Sequence, residues 1–376
     1  MKVPLSKPWI DEEDIKAVED VLRTPQLSLG PKLVEFEDLL KEIAGRKYAV
    51  AVNSGTSALH LTIKSLGIKE GDEVITTPFS FIASSNCILF EGAKPIFVDV
   101  RKDTYNINPD LIEEKIAERT KAILGVDVFG QPAEWDIIEK IAEKYELYVI
   151  EDSCEAIGSE YKGKKAGSFG VAGAFAFYPN KQMTTGEGGV IVTDNEEIYK
   201  LSRSIRNQGR GEDESWLYHT RLGYNYRISD INCALGISQL KRLNKIIEMR
   251  DAVAKMYSQK LSEVEEVITS CINPEVIRMS WFVYVIRLTE DFGRNKRDMV
   301  IEELEKRGIQ TQNYFEAIHL QPFYVEQFGF KKGDFPITEF VSERTIALPF
   351  YTTMTEEEID YVVNNLKEVI LEVKKF

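Results

Sequence analysis

In the first half of the chain, short apolar runs alternate with amphipathic stretches. EVITT (73–77), PIFVDV (95–100), KAILGVDVFG (121–130) and LYVIED (147–152) read as strands. Between the last two, residues 134–145 carry Trp135, Ile137, Ile138 and Ile141 at helical spacing, with polar residues elsewhere. Such alternation predicts an α/β fold with a doubly wound, largely parallel sheet. Two more strand-like segments, 173–178 and 189–194, are joined by a Gly-rich turn. After Arg227 the pattern turns more helical, with a long amphipathic stretch over 231–260. WFVYVIRL (281–288) then reads as a strand and the region 296–307 as a helix. A final helix is opened by Thr355 with Glu358 three residues on, a capping-box pattern. At 376 residues the chain is long for one compact core. The expected division is a large domain over 1–244 and a small α+β domain over 245–376.

Hydrophobic residues make up 43% and charged residues 29%, values of an ordinary water-soluble globular chain. With 47 basic and 61 acidic residues the formal net charge is −14, which argues against nucleic acid or an anionic membrane as a bulk partner. The N-terminal MKVPLSKPWIDEED lacks the apolar core of a signal peptide, and no apolar run approaches a membrane span. Cytoplasm is the expected location. Cys87, Cys154, Cys233 and Cys271 form no CxxC pair, and His60, His219 and His319 are widely separated. Neither a disulfide framework nor a metal site is encoded. Cys154 reads as a packing residue.

Three segments carry candidate chemistry. Lys181 lies in the turn between the strands at 173–178 and 189–194, where desolvation penalises a cation and favours an amine that condenses with carbonyls. Asp152 ends a buried strand, at the sheet edge where α/β folds bind ligands. Asn53-Ser54-Gly55-Thr56-Ser57 precedes an amphipathic helix and reads either as a plain N-cap or as a phosphate cradle. A cradle, a carboxylate and a reactive lysine together match pyridoxal 5′-phosphate (PLP): the helix start holds the phosphate, the carboxylate keeps the pyridine nitrogen protonated, and the lysine forms a Schiff base.

The order and wording of these segments resemble the DegT/DnrJ/EryC1/StrS family of PLP-dependent sugar aminotransferases. The similarity runs through VPLSKPWI, LSLGPKLVEFE, TPFSFIASSN, EDSCEAIGSEYKGKKAGSFG, FYPNKQMTTGEGG, LGYNYRISDINCALGISQL, HLQPFY and LPFYTTMTEEEID, nearly the whole chain. It implies the PLP-dependent transferase fold, aspartate aminotransferase-like and of fold type I. It also assigns roles. Lys181 matches the Schiff-base lysine that shuttles the proton, and Asp152 the partner of the pyridine nitrogen. Thr56 and Ser57 match the phosphate turn, with Gly55 keeping its backbone approachable. Phe81 falls where an aromatic ring covers the cofactor, against core packing as the alternative. Asn225 matches a residue that reaches the phosphate of a neighbouring subunit, which implies a homodimer. His319 and Tyr314 fall near the acceptor; Arg227 is placed to clamp a donor carboxylate or to form an interface ion pair. Glu187 reads as a turn residue.

Two positions depart from the family pattern. Many relatives have a serine five residues before the lysine, and here it is Ala176. Where relatives usually have His or Gln beside the cofactor's ring hydroxyl, this chain has Glu155. A carboxylate there repels a phenolate unless one of them holds a proton, so Glu155 is expected to share a proton or to point elsewhere.

The implied reaction is a ping-pong transamination, in which an amino acid, by family analogy L-glutamate, leaves its nitrogen on the cofactor and a keto-sugar, typically nucleotide-linked, takes it up. A keto-cyclitol stays open as acceptor. The dehydratase branch of the family has histidine at the lysine position, and Lys181 argues against it. A PLP lyase acting on amino acids and a non-catalytic PLP-binding regulator complete the alternatives.

Overall fold

The computed structural model describes residues 1–211 and 217–375. Its strands in chain order are β1 (Tyr48–Val52), β2 (Glu73–Thr76), β3 (Lys94–Phe97), β4 (Thr120–Val126), β5 (Tyr148–Asp152), β6 (Glu160–Tyr161), β7 (Lys164–Lys165), β8 (Ala172–Ala176), β9 (Gly189–Thr193), β10 (Val267–Thr269), β11 (Val276–Arg278), β12 (Tyr284–Leu288) and β13 (Thr345–Leu348). Seven of them form the main sheet in the order β1-β9-β8-β5-β4-β2-β3. Pairing is parallel from β8 through β3, and β9 alone runs against the rest. The central strands β4, β5 and β8 are almost wholly buried, which explains their continuous apolar runs.

Strand ends position the chemistry. Because β1, β2, β4, β5 and β8 run the same way, Asn53, Thr77, Asp127, Asp152 and Ala176 all arrive at one edge of the sheet. The turn from β8 back into β9 starts there too, so Lys181 is delivered to the edge that receives Asp152.

The C-terminal part carries a second sheet, β10-β12-β13, covered by the helices Leu243–Leu261, Arg294–Lys306 and Glu356–Val373. The last of these has the capping box expected of Thr355 and Glu358. Where a single long helix is expected over 231–260, two occur, Asp230–Lys241 and Leu243–Leu261, hinged at Arg242. The Arg242 guanidinium is held there by Asp11 and Asp14 and by the Trp9 carbonyl. One buried apolar cluster joins Ile75, Ile123 and Trp135 of the main sheet region to Tyr257, Ile286, Leu304 and Val362. The N-terminal arm also crosses over: Val3 bonds the backbone of Gly308 and Gln310, and the Leu5 carbonyl accepts from the Phe350 N–H. Among the described residues, no helix is long and apolar enough to cross a membrane.

Candidate active site

Lys181 sits in a loop that closes on itself. The Phe177 carbonyl accepts from the Thr185 N–H at 3.0 Å and from the Thr184 hydroxyl at 2.9 Å, and the Lys181 N–H donates to the Tyr178 carbonyl. Gly186 takes a positive φ of 81°, and the exposed Glu187 accepts at its carbonyl from the Thr185 hydroxyl, as suits a turn residue. The Lys181 ammonium lies 3.7 Å from the Phe282 ring centroid and 3.4 Å from Glu155 Oε1. Its side chain is 12% exposed. Glu155 is buried as well, and its Oε2 accepts from the Phe129 N–H at 2.9 Å. Burial pushes the Glu155 carboxyl up from its ordinary value, against the pull of Lys181 and the Phe129 N–H. Glu155 therefore points at the lysine.

Asp152 ends β5, almost fully buried. Its Oδ2 accepts from the Ser84 hydroxyl at 2.7 Å and its Oδ1 from the Cys154 N–H at 3.2 Å; Ser84 is in turn bonded to Ser80 at 2.8 Å. The helix Gly55–Ser65 starts beside it. Ser54 caps this helix by accepting from the Ser57 N–H, and the Ser57 hydroxyl donates to Asn53 Oδ1 at 2.7 Å. The plain N-cap is thus present, and Gly55 and Thr56 still bring free first-turn N–H groups to the sheet edge. A Cβ on Gly55 would come within 2.6 Å of Ala176 Cβ and 2.9 Å of Cys154 Sγ. The alanine in place of serine and the glycine thus pack as one close contact. Burial raises the Cys154 thiol well above its usual range, in keeping with a packing role.

A buried amine, a buried carboxylate and a helix start that only glycine can bring so close to its neighbours fit the aldehyde, ring nitrogen and phosphate of PLP in turn. The model of the DegT/DnrJ/EryC1/StrS aminotransferase family matches residues 8–367. The chain belongs to that family. Over 378 residues it is 35% identical to the spore coat polysaccharide biosynthesis protein SpsC of Bacillus subtilis, covering 98% of this chain and 97% of SpsC. The fold superposes on Helicobacter pylori PseC, an aminotransferase involved in the biosynthesis of pseudoaminic acid. The TM-score there is 0.93 at 31% identity, over 99% of this chain and 100% of PseC. Spr1654 of Streptococcus pneumoniae, solved with PLP, matches with a TM-score of 0.94 at 30% identity, over 99% of this chain and 100% of that one. The enzyme is a PLP-dependent aminotransferase of fold type I.

In this aminotransferase the remaining candidates are arranged unevenly. Phe81 is 60% exposed at the mouth of the site, directly before the helix Ala83–Leu89. Tyr314 is half-buried and stacks between Phe315 and Phe282. Arg227 donates to Asn207 Oδ1 at 3.0 Å and makes no ion pair among the described residues. Asn225 is exposed, on a segment whose backbone meets Asn53 and Asn207. His319 is fully buried: its Nε2 lies 3.0 Å from Glu339 Oε1, Phe335 packs on its ring, and its Nδ1 has no partner. Burial lowers its pKa despite Glu339. In this chain His319 is a partner of Glu339 within an aromatic cluster rather than an open ligand.

Ser84, Ser80, Phe129 and Phe282 touch the central groups and carry no signal in the sequence pattern. Phe282 falls in a stretch that reads as strand from 281. In the structure β12 begins only at Tyr284, because Trp281 adopts a positive φ of 50° and turns Phe282 toward the lysine. Buried Arg250 holds that turn by donating to the carbonyls of Trp281 and Phe282, both at 2.7 Å.

Proposed function

We propose that this enzyme moves an amino group from an amino acid, L-glutamate by family analogy, to a keto-sugar, typically nucleotide-linked. The observation that carries the reading is the convergence of Lys181, Asp152 and the Gly55–Ser65 helix start on one sheet edge. The roles of SpsC and PseC in coat polysaccharide and pseudoaminic acid biosynthesis support a sugar acceptor.

When bound, PLP supplies the electron sink that stabilises negative charge at the carbon bearing nitrogen. The protein's own residues do the rest. Lys181 Nζ would take the proton from that carbon and return it to the carbon on the far side of the nitrogen, two bonds away, as base and then acid. Asp152, fixed by Ser84 and the Cys154 N–H, presents a carboxylate to a protonated ring nitrogen. Thr56, Ser57 and the first-turn N–H groups hold the phosphate, joined by Asn225 of a second copy in a homodimer. Phe81 covers the ring. Arg227, without a carboxylate partner among the described residues, receives the donor carboxylate, and Tyr314 lines the acceptor side.

The test is the absorption spectrum of the purified protein with PLP, before and after L-glutamate and without sugar. A change to the pyridoxamine form with release of 2-oxoglutarate establishes the first half-reaction, and keto-sugars are then screened for amine uptake. A spectrum indifferent to every amino acid would sink the reading.

A further inference from the structure

The contact between Glu155 and Lys181 has a consequence for how the lysine becomes reactive, which rests on the proposed role of Lys181. A protonated amine cannot attack a carbonyl, and the carboxylate 3.4 Å from Lys181 Nζ is the group placed to receive its proton. The pair sits in a closed setting. Glu155 Oε2 is occupied by the Phe129 N–H, and its main-chain carbonyl accepts from Gln182 Nε2, so Oε1 is left for the lysine. Phe282 covers the ammonium from the other side. The titratable groups that act on this pair are Asp152, Cys154 and Tyr314, and among them no second cation is present.

We propose that Glu155 is the local acceptor of the lysine proton. It keeps the Lys181 ammonium oriented in the cofactor-free enzyme, takes one proton from Nζ when PLP arrives, and retains it as a neutral carboxyl facing the bound ring. The balance closes without an outside base. The proton passes from Nζ to Oε1; the freed amine forms the carbon–nitrogen bond with the aldehyde, and the aldehyde oxygen leaves as water together with the two remaining amine hydrogens. A neutral carboxyl is the form that burial favours, and it can donate a hydrogen bond to the ring oxygen that an ionised Glu155 would repel.

The experiment compares wild type with Glu155→Gln, an isosteric change that removes the carboxylate. Calorimetric titration of cofactor-free protein with PLP, in buffers of different ionisation enthalpy, counts the protons released. Glu155→Gln should release about one proton more per chain than wild type at the same pH, since the lysine proton then leaves to solvent. A second reading uses no cofactor: acetylation of Lys181 by acetic anhydride, located by peptide mass spectrometry, should be several-fold faster in the variant, which lacks the carboxylate counter-ion. Equal proton counts and equal acetylation rates would overturn the proposal. If Glu155→Gln does not fold, Glu155→Asp serves, because the shortened carboxylate loses reach to Nζ and should show the same changes in part; wild-type values there would be equally fatal. Lys181→Ala separates the two levels: PLP still bound covalently in that variant would sink the lysine assignment itself, whereas failure of the proton count alone removes only the role of Glu155.

Discussion

At the scale of single residues, Lys181 and Asp152 differ in how replaceable they are. Lys181 contributes one ion pair and one ring contact, so Lys181→Ala should abolish turnover while changing the melting temperature by only a few degrees, as activity assays and thermal melts would show. Asp152→Asn keeps the shape of the site and loses the charge that favours a protonated ring. It should still bind PLP, but transfer amine more slowly by about two orders of magnitude or more in single-turnover assays. Ser84 belongs to the same argument. Its hydroxyl is one of the two donors fixing Asp152, and Ser84→Ala should cost about 1 kcal/mol of that interaction, read as a several-fold fall in kcat with folding retained. Lys181, Asp152 and the run from Ser54 to Ser57 are legible in the sequence because each is tied to a local pattern: a turn between strands, a strand end, a helix start. Ser84 and Phe282 are not, since a serine in a short helix and an aromatic beside a strand have no periodic signature of the long-range partner they meet.

Elements decide how that chemistry is held. β5 places Asp152 toward the site and, by alternation, Glu151 toward the opposite side, where it meets Asp127 through Ser153. The Ser153 hydroxyl lies 2.6 Å from Asp127 Oδ2 and 2.7 Å from Glu151 Oε1. A hydroxyl has one proton, so between two acceptors one carboxyl must be protonated. Burial, followed by the neighbouring Glu151, pushes Asp127 well above the usual carboxylate range and marks it as the proton holder. A folded-state pKa above the unfolded one means that this stabilisation is whole below the ordinary aspartate value and is lost as pH rises through the folded value. Asp127→Asn keeps the acceptor for the Ala133 N–H and the Trp135 indole and offers a donor to Ser153 in place of the proton. The variant should therefore lose less stability than wild type as pH rises from 5 to 8, measured by thermal melts across that range. On the helix side, Ser54→Ala removes the cap of Gly55–Ser65 and should cost about 1 kcal/mol, with weaker PLP binding because the same turn is the proposed phosphate cradle. The helices and strands themselves are legible from periodicity. The break at Arg242 is not, since it is set by Asp11 and Asp14, more than two hundred residues earlier.

For the whole molecule, the N-terminal arm and the C-terminal part belong to one packed body. Val3 and Leu5 bond the backbone near Gly308 and Phe350, and one apolar cluster runs from the main sheet into the C-terminal helices. One apolar cluster crosses the expected boundary near residue 245, and calorimetry should show a single unfolding transition. Deleting residues 1–9 should lower its midpoint by removing the strap and the Trp9 carbonyl that Gln239 and Arg242 hold. Exposed Asn225, Phe81, Tyr178 and Leu222 leave apolar and polar surface open beside the site, which suits the proposed homodimer. Asn225→Ala should weaken PLP binding without changing the mass measured by sedimentation. The sequence by itself determined the alternation of strands and helices and the largely parallel sheet, and it singled out Lys181, Asp152 and the helix start at Ser54 as candidates, because periodicity and local turn chemistry act over a few residues. Only the tertiary structure decided that Glu155 faces Lys181, that Phe282 covers it, that Ala176 closes on Gly55 and that His319 is shut away with Glu339. Those contacts join residues far apart in the chain, and burial sets their chemistry: the cost of desolvating a charge is defined only once its neighbours are in place.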